Sequence, residues 1–124
     1  MKKKPFSEVT SLPEFEKDLK RLTKKFRSLP DDLDLFIKTQ LVGFHKLGID
    51  NGGIFQITDL GIASHTIFKA RKFACKSLKG RGVMSGIRVI YVYDARQDSV
   101  ELIEIYYKGE KASEDRQRIG KYCG

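Results

Sequence analysis

Apolar positions recur along this chain in two different periods, and the change from one to the other divides it near the middle. In the first half, Phe15, Leu19, Leu22 and Phe26 fall at i, i+4, i+7 and i+11, the spacing that lays a single apolar stripe along an α-helix. Pro13 suits the first turn of that helix and Ser11 is its candidate cap. The opposite side carries Glu16, Lys17, Lys20, Arg21, Lys24, Lys25 and Arg27, with the cations massed toward the C-terminal end, where they complement the helix dipole. Pro30 interrupts the pattern. Asp31 and Asp32 then open a second helix with Leu33, Ile37, Leu41 and Phe44 on one side. Ahead of both helices, residues from about Lys4 to Ser11 have the content of a short strand, with Phe6 and Val9 as its apolar members.

The second half reads in strands. Gly48 to Thr66 is rich in glycine and lacks sustained periodicity, which predicts a long loop with room for a short strand around Ile54 to Ile57. Ile67 to Cys75 is expected to be a strand, and Lys79-Gly-Arg-Gly82 a flexible basic connection. Ile87 to Tyr93 and Val100 to Tyr107 are apolar at nearly every position, as in central strands covered on both sides, and the polar turn from Asp94 to Ser99 joins them. Short connections make these last three strands an antiparallel meander. Ser113 to Ile119 closes the chain as a short helix with Ser113 as its cap. The order β-α-α-β-β-β-α predicts an α+β domain, two helices packed on a twisted, mainly antiparallel sheet of about four strands. At 124 residues, one domain spanning 1–124 is expected.

Charge adds a direction to this picture. The formal net charge is +8, and from Leu60 to Tyr93 there is no acidic residue, while Lys69, Arg71, Lys72, Lys76, Lys79, Arg81 and Arg88 all lie there. Such segregation suits a surface that meets polyanions, nucleic acid first among them. Other chemistries find no support. Cys75 and Cys123 form neither a metal pair nor a Cys-x-x-Cys unit, no glycine run makes a phosphate-binding fingerprint, and nothing calls for a cofactor or metal. No stretch has the length of a membrane span, and Ser7 to Pro13 is no apolar signal core, so a cytoplasmic protein with reduced cysteines is expected.

Two segments carry a likeness to a known family. Gly86-Ile-Arg-Val-Ile-Tyr91, after paired helices and a basic strand, and then Leu102-Ile-Glu-Ile-Tyr-Tyr-Lys-Gly-Glu-Lys111, resemble the RelE/HigB/ParE superfamily of bacterial toxins, and within it the HigB- and RelE-type mRNA interferases most of all. The likeness covers most of the chain in element order, with its specific residues between about Lys69 and Glu114. It implies a RelE-like fold and a metal-independent endoribonuclease that cuts messenger RNA on the ribosome. It further implies a cognate antitoxin protein, encoded adjacently, that neutralises the toxin. The ParE branch shares the fold and inhibits DNA gyrase, so gyrase inhibition and non-catalytic RNA binding stand as alternatives. The chain departs from the pattern in its long Gly48–Thr66 loop, and in Gly109 and Glu110, where some relatives carry arginine, histidine or tyrosine.

Cleavage of RNA through its own 2′-hydroxyl needs a proton acceptor, positive charge on the phosphorane-like transition state and a donor to the departing 5′-oxygen. Arg88 matches the arginine that the family associates with cleavage, and a guanidinium can grip a phosphate through two donors. The alternative for Arg88 is pairing with Glu101 or Glu104. Lys108, at the end of the last strand, is the candidate for proton transfer or phosphate contact, with Tyr107 and Lys111 in support. Tyr106 and Tyr107 point to opposite faces by alternation, one to stack on a base and the other to pack inside. Lys69, Arg71, Lys76, Lys79 and Arg81 read as RNA phosphate contacts. His65 precedes the basic strand and His45 lies in the second helix; neither stands in a matching motif.

Overall fold

The computed structural model describes residues 5–57 and 66–123. Five strands, β1 (Glu8–Ser11), β2 (Ile54–Gln56), β3 (Ile67–Ala70), β4 (Ile87–Asp94) and β5 (Ser99–Tyr107), form one sheet in the order β1-β5-β4-β3-β2. β3, β4 and β5 make the expected antiparallel meander, and β4 and β5 are its central strands. The count of about four strands is corrected to five among the described residues. Short β2 pairs with β3 at one edge, while β1 runs parallel to β5 at the other. The strand expected over Ile67 to Cys75 stops at Ala70. From Arg71 to Gly86 the chain is irregular, touching itself through one bridge between Phe73 and Met84.

Helix α1 (Pro13–Lys25) begins at its proline as expected, but Leu12 rather than Ser11 occupies the cap position, and the Ser11 hydroxyl binds the Glu16 carboxylate instead. The second helical stretch starts earlier than Asp31. Pro30 sits in the first turn of α2 (Leu29–Phe36), where its missing N–H costs nothing. A π-helical turn, Ile37–Leu41, joins α2 to α3 (Val42–Leu47), so these pieces make one interrupted rod. At the other end, α4 (Arg116–Cys123) is capped by Asp115, whose carboxylate accepts the Arg118 N–H at 3.0 Å. Ser113 is not the cap.

The two faces of the sheet are covered unequally. Val89 and Tyr91 of β4 and Val100, Leu102 and Ile105 of β5 pack against Phe15, Leu22, Phe26, Leu33, Phe36 and Leu41, making the main core under the helices. Ile90, Val92, Ile103 and Tyr106 point the other way, with Ile67, under Ile119 of the short α4. Pairing registers place Phe55 opposite Lys69, Lys69 opposite Ile90, and Arg88 opposite Tyr106, all on this second face. A bulge in β5 lets Ile90 pair with Glu104 and Tyr91 with Leu102, leaving Ile103 as the extra residue.

His45 belongs to the packing. Its Nε2 lies 2.7 Å from the hydroxyl of fully buried Tyr91, and its ring stacks on Tyr93 at 4.2 Å. Burial lowers its pKa to about 4. The unfolded chain therefore takes up a proton near pH 6.5 that the native state refuses. Stability from this site is complete above that pH and falls as the pH drops toward 4. Urea unfolding of the wild-type protein is expected to lose of order 1–2 kcal/mol more between pH 7 and pH 5 than the His45→Gln variant does.

Candidate RNA-binding cleft

At the end of the sheet where β4 begins and β5 finishes, a cleft of about 290 Å³ is lined by Arg81, Met84, Ser85, Gly86, Arg88, Tyr107, Lys108 and Gly109. Four residues singled out from the sequence, Arg81, Arg88, Tyr107 and Lys108, thus meet in one depression although they come from an irregular loop, two strands and the turn after β5. β4–β5 pairing sets Arg88 beside the strand end that carries Lys108, and the Lys108 N–H closes the ladder on the Gly86 carbonyl at 2.9 Å.

Arg88 is buried to 8% exposure, and its Nη1 donates to the Arg71 carbonyl at 2.7 Å. Burial, and then the Arg71 guanidinium nearby, lower its pKa, with Tyr106 acting in the opposite sense. An arginine remains a cation through such a shift. The carboxylate pairing considered from the sequence does not form. Glu104 instead accepts from Lys111 Nζ and, at 2.7 Å, from the Asp115 N–H, while Glu101 accepts from Thr10 and Tyr122. Among the described residues no carboxylate neutralises Arg88, so a desolvated cation borders the cleft with its charge uncompensated.

Tyr107 and Tyr106 do face opposite ways. The Tyr107 ring packs edge-on to Phe26, just past the end of α1, at 5.0 Å and lies under Lys25 Nζ at 5.1 Å. Two glycines make room for it. Gly86 has φ +90°, and a Cβ there would stand 3.3 Å from the Tyr107 ring; a Cβ on Gly109 would come within 2.5 Å of the same ring. Tyr106, on the second face, is buried, with Lys69 and Lys111 ammonium groups over its ring at 5.9 and 5.6 Å. It has no open face for a base.

The remaining cations separate into two groups. Lys69 lies 3.1 Å from Glu114, whose side chain is itself nearly buried, and Lys111 is held by buried Glu104. Both brace the C-terminal segment against the sheet. Arg71, Lys76, Lys79 and Arg81 are exposed along the irregular loop, and of these Arg81 reaches the cleft. Buried polar groups hold that loop in place. Asp32, 3% exposed, accepts the Ser28 hydroxyl at 2.5 Å and the Lys76 N–H at 3.0 Å. The Ser85 hydroxyl donates to the Phe73 carbonyl at 2.5 Å and accepts the Ile87 N–H at 3.1 Å. Sequence reasoning missed Ser85 and Asp32, because a serine before a strand and an aspartate in the first turn of a helix already have local explanations. His65 lies outside the described residues.

No helix among the described residues is long and apolar enough to cross a membrane. No family model and no curated protein matches the chain. Among solved structures it is similar to the crystal structure of an archaeal RelE–RelB complex from Pyrococcus horikoshii OT3. That similarity has 14% identity and a TM-score of 0.48, over 82% of this chain and 94% of the other.

Replacing Gly109 by alanine forces the Tyr107 ring to shift out of its present seat beside Phe26. The variant is expected to lose about 1–3 kcal/mol in equilibrium unfolding, as for other overpacked sites. Tyr107→Leu in the same background, which removes the clashing ring atoms, should return part of that loss.

Proposed function

We propose that this chain is the toxin of a type II toxin–antitoxin pair and acts as a ribosome-dependent, metal-independent mRNA endonuclease of the RelE/HigB type. The observation that carries this reading is the convergence of Arg81, Arg88, Tyr107 and Lys108 on one cleft, with Arg88 desolvated and paired to no described carboxylate. The resemblance of Gly86–Tyr91 and Leu102–Lys111 to that family adds the reaction class.

In this reading the scissile phosphate enters the cleft between Arg88 and Lys108. The 2′-hydroxyl attacks the adjacent phosphorus as its proton departs, the bond from phosphorus to the 5′-oxygen breaks, and that oxygen takes up a proton. Arg88, fixed by the Arg71 carbonyl, meets the charge that builds on the non-bridging oxygens. Lys108, exposed at the end of β5, is the proton carrier at the scissile linkage. Tyr107 forms the wall that orients the nucleotide. Lys111 supports the site indirectly, through Glu104. Arg81, with Arg71, Lys76 and Lys79 along the loop, holds flanking phosphates and so fixes register rather than cutting. An antitoxin with an acidic or amphipathic segment would cover this basic surface and suppress RNA binding electrostatically.

Controlled expression in bacteria, with 5′ ends mapped on translated messages, tests the proposal. Wild-type protein is expected to produce new ends phased with codons. Lys108→Ala and Arg88→Gln should each reduce them by about 100-fold or more, the scale for losing a proton carrier or a transition-state charge. Growth arrest with intact messages would reject cleavage and bring gyrase inhibition or plain RNA binding forward.

A further inference from the structure

One aromatic ring lies outside both cores. Phe55, on edge strand β2, is 41% exposed, and it is the aromatic residue among the exposed large apolar side chains of the described residues. Its neighbour Ile54 is buried under the helices, so strand alternation turns Phe55 to the second face. There it pairs across the ladder with Lys69, on the side of the sheet that also carries Arg88. The Arg71 guanidinium carbon stands 5.9 Å from the centroid of its ring.

This pair is built into the backbone around the cleft. The Arg71 N–H donates to the Gly53 carbonyl at 2.7 Å, and the Arg71 carbonyl accepts from Arg88 Nη1 at 2.7 Å. Ahead of β2, the Asn51 side chain accepts the Gly53 N–H at 2.8 Å, while Lys72 Nζ donates to the Asn51 carbonyl at 2.5 Å. The backbone of Arg71 is therefore tied on one side to Gly53, just ahead of β2, and on the other to Arg88. Two strand spacings, about 10 Å, separate β2 from β4.

We infer that Phe55 and Arg71 form a stacking platform for an unpaired nucleobase of the RNA strand whose phosphate lies at Arg88, one or more nucleotides along from the cut. The inference rests on the reading that this face meets RNA. An exposed ring beside a guanidinium offers a π surface that every base can use, and although Lys69 opposite it is claimed by Glu114, Arg71 and Arg88 lead from it toward the cleft without a described carboxylate partner. Buried Tyr106 cannot fill that role, and Tyr107 faces the helices. Phe55 supplies affinity and register for single-stranded RNA and takes no part in the chemistry.

The chain has no tryptophan, so Phe55→Trp places a single indole on the platform. Two probes separate base from phosphate: an uncleavable 2′-O-methyl uridine hexanucleotide and inorganic polyphosphate, each titrated into wild-type, Phe55→Leu and Phe55→Trp protein. Phe55→Leu is expected to weaken hexanucleotide binding about tenfold, within the range for losing one base–aromatic stack. Its salt dependence and its polyphosphate affinity should stay unchanged, and the Phe55→Trp protein should bind the hexanucleotide with quenched fluorescence. Hexanucleotide binding that Phe55→Leu leaves intact, with the indole fluorescence of the Phe55→Trp protein unmoved, would overturn the platform alone. Failure of the wild-type protein to bind either probe would overturn the platform together with the RNA-binding reading.

Discussion

The phase of β5 against β4 decides what this molecule can present. Val100 and Leu102 face the helices, and strict alternation would send residue 106 to that same side. The bulge at Ile103 adds one residue, so that Ile105 and Tyr107 join Leu102 on the helix side while Ile103 and Tyr106 turn to the other. From that single shift follow the pairing of Arg88 with Tyr106, the burial of Glu104 where it can hold Lys111 and the Asp115 N–H, and the placing of Tyr107 against Phe26. The cleft is assembled by register first and by side-chain chemistry second.

Charge is then sorted into two kinds. One kind is structural: Glu104 with Lys111 and Glu114 with Lys69 tie the C-terminal segment to the second face, and Asp18 with Arg118 at 2.6 Å ties α4 to α1, beside Ile119 in its apolar seat. Removing one partner of the buried Glu104 pair would leave an uncompensated charge, which is far more costly than losing an exposed pair such as Arg21 with Glu110. The other kind is open. Arg88, Arg81 and Lys108 border the cleft without a described carboxylate, and Asp32, Ser28 and Ser85 keep the basic loop in a shape it would not hold by propensity. An anchored loop presents its cations at fixed positions, which a flexible basic tail would not.

The elements of longest period were the most legible in the sequence. The stripe of Phe15, Leu19, Leu22 and Phe26, and the apolar runs of β4 and β5, yield α1 and the sheet centre because burial overrides everything local there. What escaped has physical causes. The parallel pairing of β1 depends on an edge that no local pattern encodes, and the irregular path from Arg71 to Gly86 is set by distant Asp32. Composition gathers Arg81 and Arg88 into one acid-free tract and the family likeness adds Lys108, yet neither separates them from Lys69 and Lys111. Those two are claimed by glutamates 45 and 7 residues away. That Tyr106 and Tyr107 oppose each other is readable, but which of them turns toward the helices depends on a bulge that alternation does not reveal. Phe55 carries no sequence signal, because a three-residue strand in a glycine-rich stretch has too short a pattern to assign a face.

The chemistry of the cut ends tests the central claim most directly, because it reports on the reaction at the cleft and not on its consequences for growth. Messages from translation reactions programmed with the purified protein should carry 5′-hydroxyl ends opposite 2′,3′-cyclic phosphates, as attack by the adjacent 2′-hydroxyl requires, and Lys108→Ala should lower their yield without changing their kind. Ends bearing 5′-phosphates and 3′-hydroxyls, or no new ends at all, would contradict the account.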